Sequence, residues 1–234
     1  MAKRGKKYLT ALKQIEKPEY ELKEALELIK NISFARFDET VELAVKLGVD
    51  PRKTDQQVSG TVLLPNGHGL NKRVVVIASA DKVNEARDAG ADEVGGVDFC
   101  EKIKKGYLDF DALIATPDMM KEVGKLGRIL GPRKLMPNAK TGTVTFNVGK
   151  IVRDIKYGLI TYRTDKTANV HTIIGKLSLG PEKLFQNAVA VLESIIRAKP
   201  PAAKGRYIKS VHVASTMGPG IKISQTSIDQ IARK

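Results

Sequence analysis

The chain has 234 residues, 42% hydrophobic and 28% charged, which excludes a disordered tail and leaves room for one large domain or two ordinary ones. Its 40 basic and 26 acidic residues give a net charge of +14. That excess predicts a polyanionic partner, because each phosphate neutralised by Lys or Arg releases condensed counterions; a merely solubilising surface is the plainer alternative. Cys100 is the only cysteine, and His68, His171 and His212 lie far apart, so neither a disulfide framework nor a metal site is expected. The longest apolar run, Val74 to Ala78, is too short to span a bilayer, and the basic start leads into no apolar stretch of signal-peptide length. These features predict a soluble protein of a reducing compartment, with no cofactor.

After an N-terminal basic stub, Leu22, Ala25, Leu26 and Ile29 recur at helical spacing. Thr40 to Asp50 then alternates as a half-buried strand. Val41, Leu43, Val45, Leu47 and Val49 point one way; Thr40, Glu42, Ala44 and Lys46 point the other. From Arg73 the style changes. Val74 to Ala78 is a continuous apolar run, as in a strand covered on both faces. A helix follows from Asp81 to Ala89, then a strand at Asp92–Val94, a helix from Asp98 to Lys105 and a buried strand from Ala112 to Ala115. Repeated strand–helix units predict a small parallel sheet with helices on both sides.

After Tyr157 two-faced strands return at Leu159–Arg163 and His171–Leu179. Gly180–Pro181 opens a helix whose apolar face is Leu184, Phe185, Ala188, Val189, Leu192, Ile195 and Ile196, and Lys199–Pro200–Pro201 ends it. Arg206 to Ser215 alternates again, followed by Thr216-Met217-Gly218-Pro219-Gly220 and a short run at Ile221–Ser224. The N-terminal segment offers only one strand, and one strand cannot hide an apolar face alone. The economical fold is α/β in two domains: a split domain from residues 1–66 and 159–234, and a parallel-sheet domain, residues 67–158, inserted into it. The split domain carries 24 basic and 14 acidic residues, +10 of the total +14.

The wet faces of the two clearest strands combine small residues, hydroxyls and a few charges. Ser210, His212, Ala214 and Thr216 share one side; Thr40, Glu42, Ala44 and Lys46 share another. Such a face lets a sugar–phosphate backbone come close and bond at the ribose 2′-hydroxyl, although an ordinary solvated face would read the same. The turn after Ser215 adds weight: its glycines leave backbone groups open, Thr216 can reach a ribose, and Met217 can lie in a shallow groove. Phe37 beside Arg36 suits packing on sugar or base, or else plugs the end of the sheet. Gly124 to Lys140 holds Arg128, Arg133, Lys134 and Lys140 and no acid, and its Gly and Pro predict an ordered loop, not a helix. It either contacts phosphate or is solvated. No nucleophile triad, metal motif or phosphate-binding glycine loop is present, so no enzyme is expected. The rivals that remain are a nucleotide-using enzyme built on the central domain and a generic basic DNA-binding protein.

Several segments resemble the L-one family of bacterial large-subunit ribosomal proteins nearly end to end. They are ARFDETVE (35–42), LGVDPRKTD (47–55), GTVLLP (60–65), AGADEV (89–94), DFDALIATPD (109–118), GRILGPRKLMPN (127–138), RTDK with His171 (163–166), and STMG (215–218). The resemblance implies a split α+β sandwich domain with an inserted Rossmann-like domain. It also implies a cytoplasmic protein of the large ribosomal subunit, monomeric off the ribosome, that binds the stalk region of large-subunit rRNA. Contact with the departing exit-site tRNA and repression of its own operon through its messenger are implied as well. Matched onto the motifs, the RNA-contact residues would be Phe37, Thr40, Glu42, Asp165, Lys166, Ser210, Thr216, Met217 and Gly218. Arg36 and Lys46 join them on the strand reading. The sequence departs from the family's usual GPRGLMPNPK at Lys134 and Ala139, so a left-handed backbone at position 134 would cost this chain a steric penalty.

Overall fold

The computed structural model of the chain describes residues 5–232. Met1 to Arg4 of the basic stub lie outside the described residues. The chain divides into two compact units, one from the segments up to Gly69 and from Ile160 onward, the other from Leu70 to Leu159.

In the first unit the strands β1 (Thr40–Leu47), β7 (Asn169–Lys176), β8 (Ile208–Ser215) and β9 (Ile221–Ile223) form an antiparallel sheet in the order β7-β1-β8-β9. Helices α2 (Leu22–Ile32) and α8 (Pro181–Arg197) share its core. Val41, Leu43, Val45 and Leu47 are buried there with Val211 and Val213, so the alternation predicted for β1 is observed. The strand stops at Leu47, short of the expected Asp50. On α8, Pro181 occupies the first turn and Asn187 replaces an apolar contact. Its amide donates to Gly67 O (2.9 Å) and Ile174 O (2.8 Å) and accepts from Asn66 N–H (3.1 Å). That satisfies a fully buried polar group in an otherwise aliphatic core.

Four further departures from the sequence reading bear on the fold. The N-terminal segment contributes a second strand, β2 (Ser59–Leu63), which pairs with β6 (Leu159–Arg163). Its alternation is hidden because Gly60 stands where Tyr162 crosses the strand; a Cβ there would lie 2.6 Å from the phenol oxygen. The basic stub includes a helix, α1 (Lys6–Lys13), built from strong helix formers. β7 ends at Lys176, and Leu177–Leu179 is a 3-10 turn. The Asp38 carboxylate pulls it off the sheet by accepting from Ser178 N–H (3.1 Å) and Oγ (2.7 Å). The fourth departure is the basic segment of the second unit.

That second unit is a parallel sheet, β4-β3-β5, of β3 (Val74–Ile77), β4 (Glu93–Gly95) and β5 (Ala112–Ala115). Alternate residues of β3 enter different cores. Val75 and Ile77 meet Phe99 and Ile103 of α4 (Val97–Lys104), while Val74 and Val76 meet Ala86 of α3 (Ala80–Asp88) and Val152 of α7 (Val148–Tyr157). Helices therefore cover both faces, as expected. The segment 124–140, expected to be a loop, is partly helical, with α5 (Met120–Gly124), α6 (Gly127–Leu130) and a 3-10 turn at Ala139–Thr141. Leu126 and Leu130, four apart, are both fully buried and anchor α6.

Candidate nucleic-acid interface

Because the odd-numbered residues of β1 fill the core, the even-numbered ones line the open face. Glu42 is exposed, and Ala44 and Lys46 are partly so. Register then fixes their neighbours: Glu42 stands opposite Ala214, Ala44 opposite His212, and Lys46 opposite Ser210 on β8. On the other flank Ala44 meets His171 and Lys46 meets Asn169 of β7.

At the start of β1 the contact candidates are bonded to one another. Thr216 Oγ1 accepts from Thr40 N–H (3.0 Å) and donates to Thr40 O (3.2 Å), so one hydroxyl serves both backbone groups of a residue 176 positions away. Beneath them lies Glu39, fully buried. Its carboxylate accepts from Ser33 Oγ (2.8 Å), Ala35 N–H (3.2 Å) and Met217 N–H (3.0 Å). Burial alone would push this carboxyl up, but the hydrogen bonds, led by that from Met217, outweigh it and hold the carboxyl below its ordinary value. Glu39 thus clamps the segment before β1 to the turn after β8. Above this clamp Phe37 is 55% and Met217 51% exposed, and Arg36 is exposed beside Phe37. Phe37 therefore does not plug the sheet. Gly218 closes the turn through its N–H to Ser215 O (3.2 Å); a Cβ there would come within 2.4 Å of Ser215 Oγ.

The other end of β1 holds a second group. Asp165 Oδ1 accepts from Asn169 N–H (2.7 Å), Thr167 N–H (2.8 Å) and Thr167 Oγ1 (2.8 Å), and the Asn169 bond foremost keeps its carboxyl below the usual range. These bonds hold a tight turn in which Ala168 takes a φ of 61°. Lys46 Nζ donates to Thr167 O, and Lys166 is exposed on the same turn. The sequence reading places Ser210 and Thr216 on one side of β8. The antiparallel register separates them: Ser210 belongs with Lys46 and the Asp165 turn, and Thr216–Gly218 belong with Arg36, Phe37 and Thr40. Asp165 itself spends most of its acceptor capacity on the turn.

In the second unit Arg128, Arg133, Lys134 and Lys140 are all exposed. α6 ends in a Schellman motif, with Leu135 N–H on Leu130 O (3.0 Å) and Lys134 N–H on Gly131 O (3.0 Å). Lys134 occupies the left-handed position that glycine usually fills, at φ 60°. Among the described residues no group of three or more His, Cys, Asp and Glu is placed to hold a metal ion, and no helix is long and apolar enough to cross a membrane.

The family profile for ribosomal protein L1p/L10e matches residues 28–219, from α2 through the Thr216–Gly218 turn. The chain belongs to the ribosomal protein L1p/L10e family. It is also 56% identical over 222 residues to the large ribosomal subunit protein uL1 of Solibacter usitatus (strain Ellin6076), with 94% of either chain covered. Membership in the L1p/L10e family makes the chain a structural, non-enzymatic constituent of the large ribosomal subunit in the cytoplasm, where it binds ribosomal RNA. The one missed residue of consequence is Glu39. Its signal was present: it falls in phase with Val41, Leu43, Val45 and Leu47, so the alternation itself places a carboxylate on the dry side.

Proposed function

We propose that the split unit, from the segments up to Gly69 and from Ile160 onward, is the RNA-binding domain and grips the stalk region of large-subunit rRNA along the open face and ends of β1. One contact group is Arg36, Phe37, Thr40, Thr216, Met217 and Gly218; the other is Lys46, Ser210 and, on the turn that Asp165 holds, Lys166. Glu42 lies between them, and an ionised carboxylate suits a ribose hydroxyl, not a phosphate. Recognition is led by backbone shape and 2′-hydroxyls more than by base edges. Arg128, Arg133, Lys134 and Lys140 supply a secondary phosphate contact from the other domain. The protein is monomeric off the ribosome, contacts the exit-site tRNA and assists its release, and represses its own operon by binding a mimic of the rRNA site on the messenger.

The observation that carries this reading is the Thr216–Thr40 bond pair over the Glu39 clamp, which ties together the two segments that carry the exposed Phe37 and the exposed Met217 on a basic domain. Filter binding tests it, with the stalk rRNA fragment, random duplex RNA and DNA of the stalk sequence, at several salt concentrations. The stalk RNA is expected to bind tightest and the DNA far more weakly; equal binding of all three would sink the proposal. Exit-site tRNA and the operon leader are tested by competition against the same fragment.

A further inference from the structure

The open face of the sheet carries one row that the contact groups above leave unused. Ala44 stands opposite both His171 and His212, and His212 stands opposite Lys222. Directly paired residues project to the same face, so the row runs His171, Ala44, His212, Lys222 across four strands, away from the core. Adjacent strands are about 4.8 Å apart, so the two imidazole-bearing backbones stand roughly 10 Å apart with only a methyl group between them. A larger side chain at position 44 would fill that gap; Ala44 leaves it open between the two histidine positions.

We infer that His171 and His212 form a seat over Ala44 for a phosphate of the bound RNA, and that RNA binding takes up protons there. The inference rests on the proposed use of this face for RNA.

The charges around the row support it. His171 is 61% exposed, with its Nε2 4.0 Å from Asp165 Oδ2. On β8, burial pushes the His212 imidazole below its ordinary value and Lys222 of β9 adds to the effect. The rows on either side carry Lys46 and Glu42 on β1. Their partners Asn169 and Ile173 on β7, and Ser210 and Ala214 on β8, carry no charge. In the free protein Lys222 is itself paired with Glu19 (Nζ–Oε1 2.7 Å), and His212 has no anion opposite it in its own row. A phosphate over Ala44 supplies the anion that His212 lacks and favours the charged imidazole, which has two N–H donors to offer. Imidazole is also the side chain whose charge ordinarily changes near neutral pH, so the effect falls in an accessible range.

The test is filter binding of the whole protein to the stalk rRNA fragment at pH 6, 7 and 8 and fixed ionic strength. Wild-type affinity is expected to rise about fivefold from pH 8 to pH 6, approaching the roughly tenfold ceiling of one proton held tenfold more tightly in the complex. The double variant His171→Gln, His212→Gln should lose the slope, with an unchanged urea midpoint confirming that it folds. A flat wild-type profile, or a slope that survives in the double variant, overturns the seat. Absence of any preference for the stalk fragment at every pH overturns instead the RNA reading on which it rests.

Discussion

The backbone N–H of Met217 donates to the carboxylate of Glu39 at 3.0 Å, joining positions 178 residues apart. The same carboxylate takes Ser33 and Ala35, so a single buried group sets where Phe37 and Met217 stand. Replacing Glu39 by Ala strands these donors, and at about 1–3 kcal/mol for a buried unsatisfied group the loss should reach roughly 3 kcal/mol. Glu39→Gln should cost less. The carboxyl is held below its ordinary 4.5, so the unfolded chain binds the extra proton first. Its stabilising contribution is therefore complete above that value and is lost as pH falls through the lower folded one. Urea midpoints of wild type and Glu39→Gln should converge as pH drops from 7 to 3; a constant gap would contradict the clamp.

Thr216→Ala removes both bonds to the Thr40 backbone, and Met217→Asp puts a negative charge where RNA is expected. Each should weaken stalk-fragment binding by roughly 1–3 kcal/mol, the scale of a specific contact, without lowering the melting temperature much. Wild-type affinity in the double variant would remove both residues from the interface.

Lys134→Gly separates stability from binding. Relief of the left-handed backbone should stabilise the Leu70–Leu159 unit by about 1 kcal/mol, visible as a higher thermal midpoint. If Lys134 meets a phosphate, the same substitution lowers the slope of log affinity against log salt by about 1. A stability gain with an unchanged slope would assign the loop to solvent.

Gly175→Ala probes the bulge between β1 and β7, where φ is 146° and pairing shifts between Val41 and Glu42. An added Cβ would lie 2.6 Å from Leu179 Cδ1 and 3.0 Å from Leu184 Cδ2. Overpacking of this kind costs about 1–3 kcal/mol, to be read in urea unfolding, and a neutral result would mean that the bulge relaxes freely.

Most of the fold was legible because two hydrophobic periods coexist in one chain. Alternation at Thr40–Leu47 and the unbroken run at Val74–Ile77 can be satisfied only by a one-sided and a two-sided sheet. β2 was not legible, because Gly60 under Tyr162 erases the pattern that would have announced it. Nor was α6, whose buried Leu126 and Leu130 sit among Gly and Pro that argue for a loop. For the interface, the outward residues of β1 and β8 follow from parity alone. Which of them become neighbours depends on register, and register is set by partners more than 100 residues distant. That is why parity alone puts Ser210 and Thr216 on one face without showing which residues of β1 each one meets.

β1 sits between two strands that are synthesised long after it, with β7 beginning at Asn169 and β8 ending at Ser215. On a translating ribosome the Leu70–Leu159 unit has all its strands available while β1 still lacks both hydrogen-bonding edges. An aliphatic strand therefore waits unpaired through most of translation, and the interface that depends on it can be completed only when nearly the whole polypeptide has emerged.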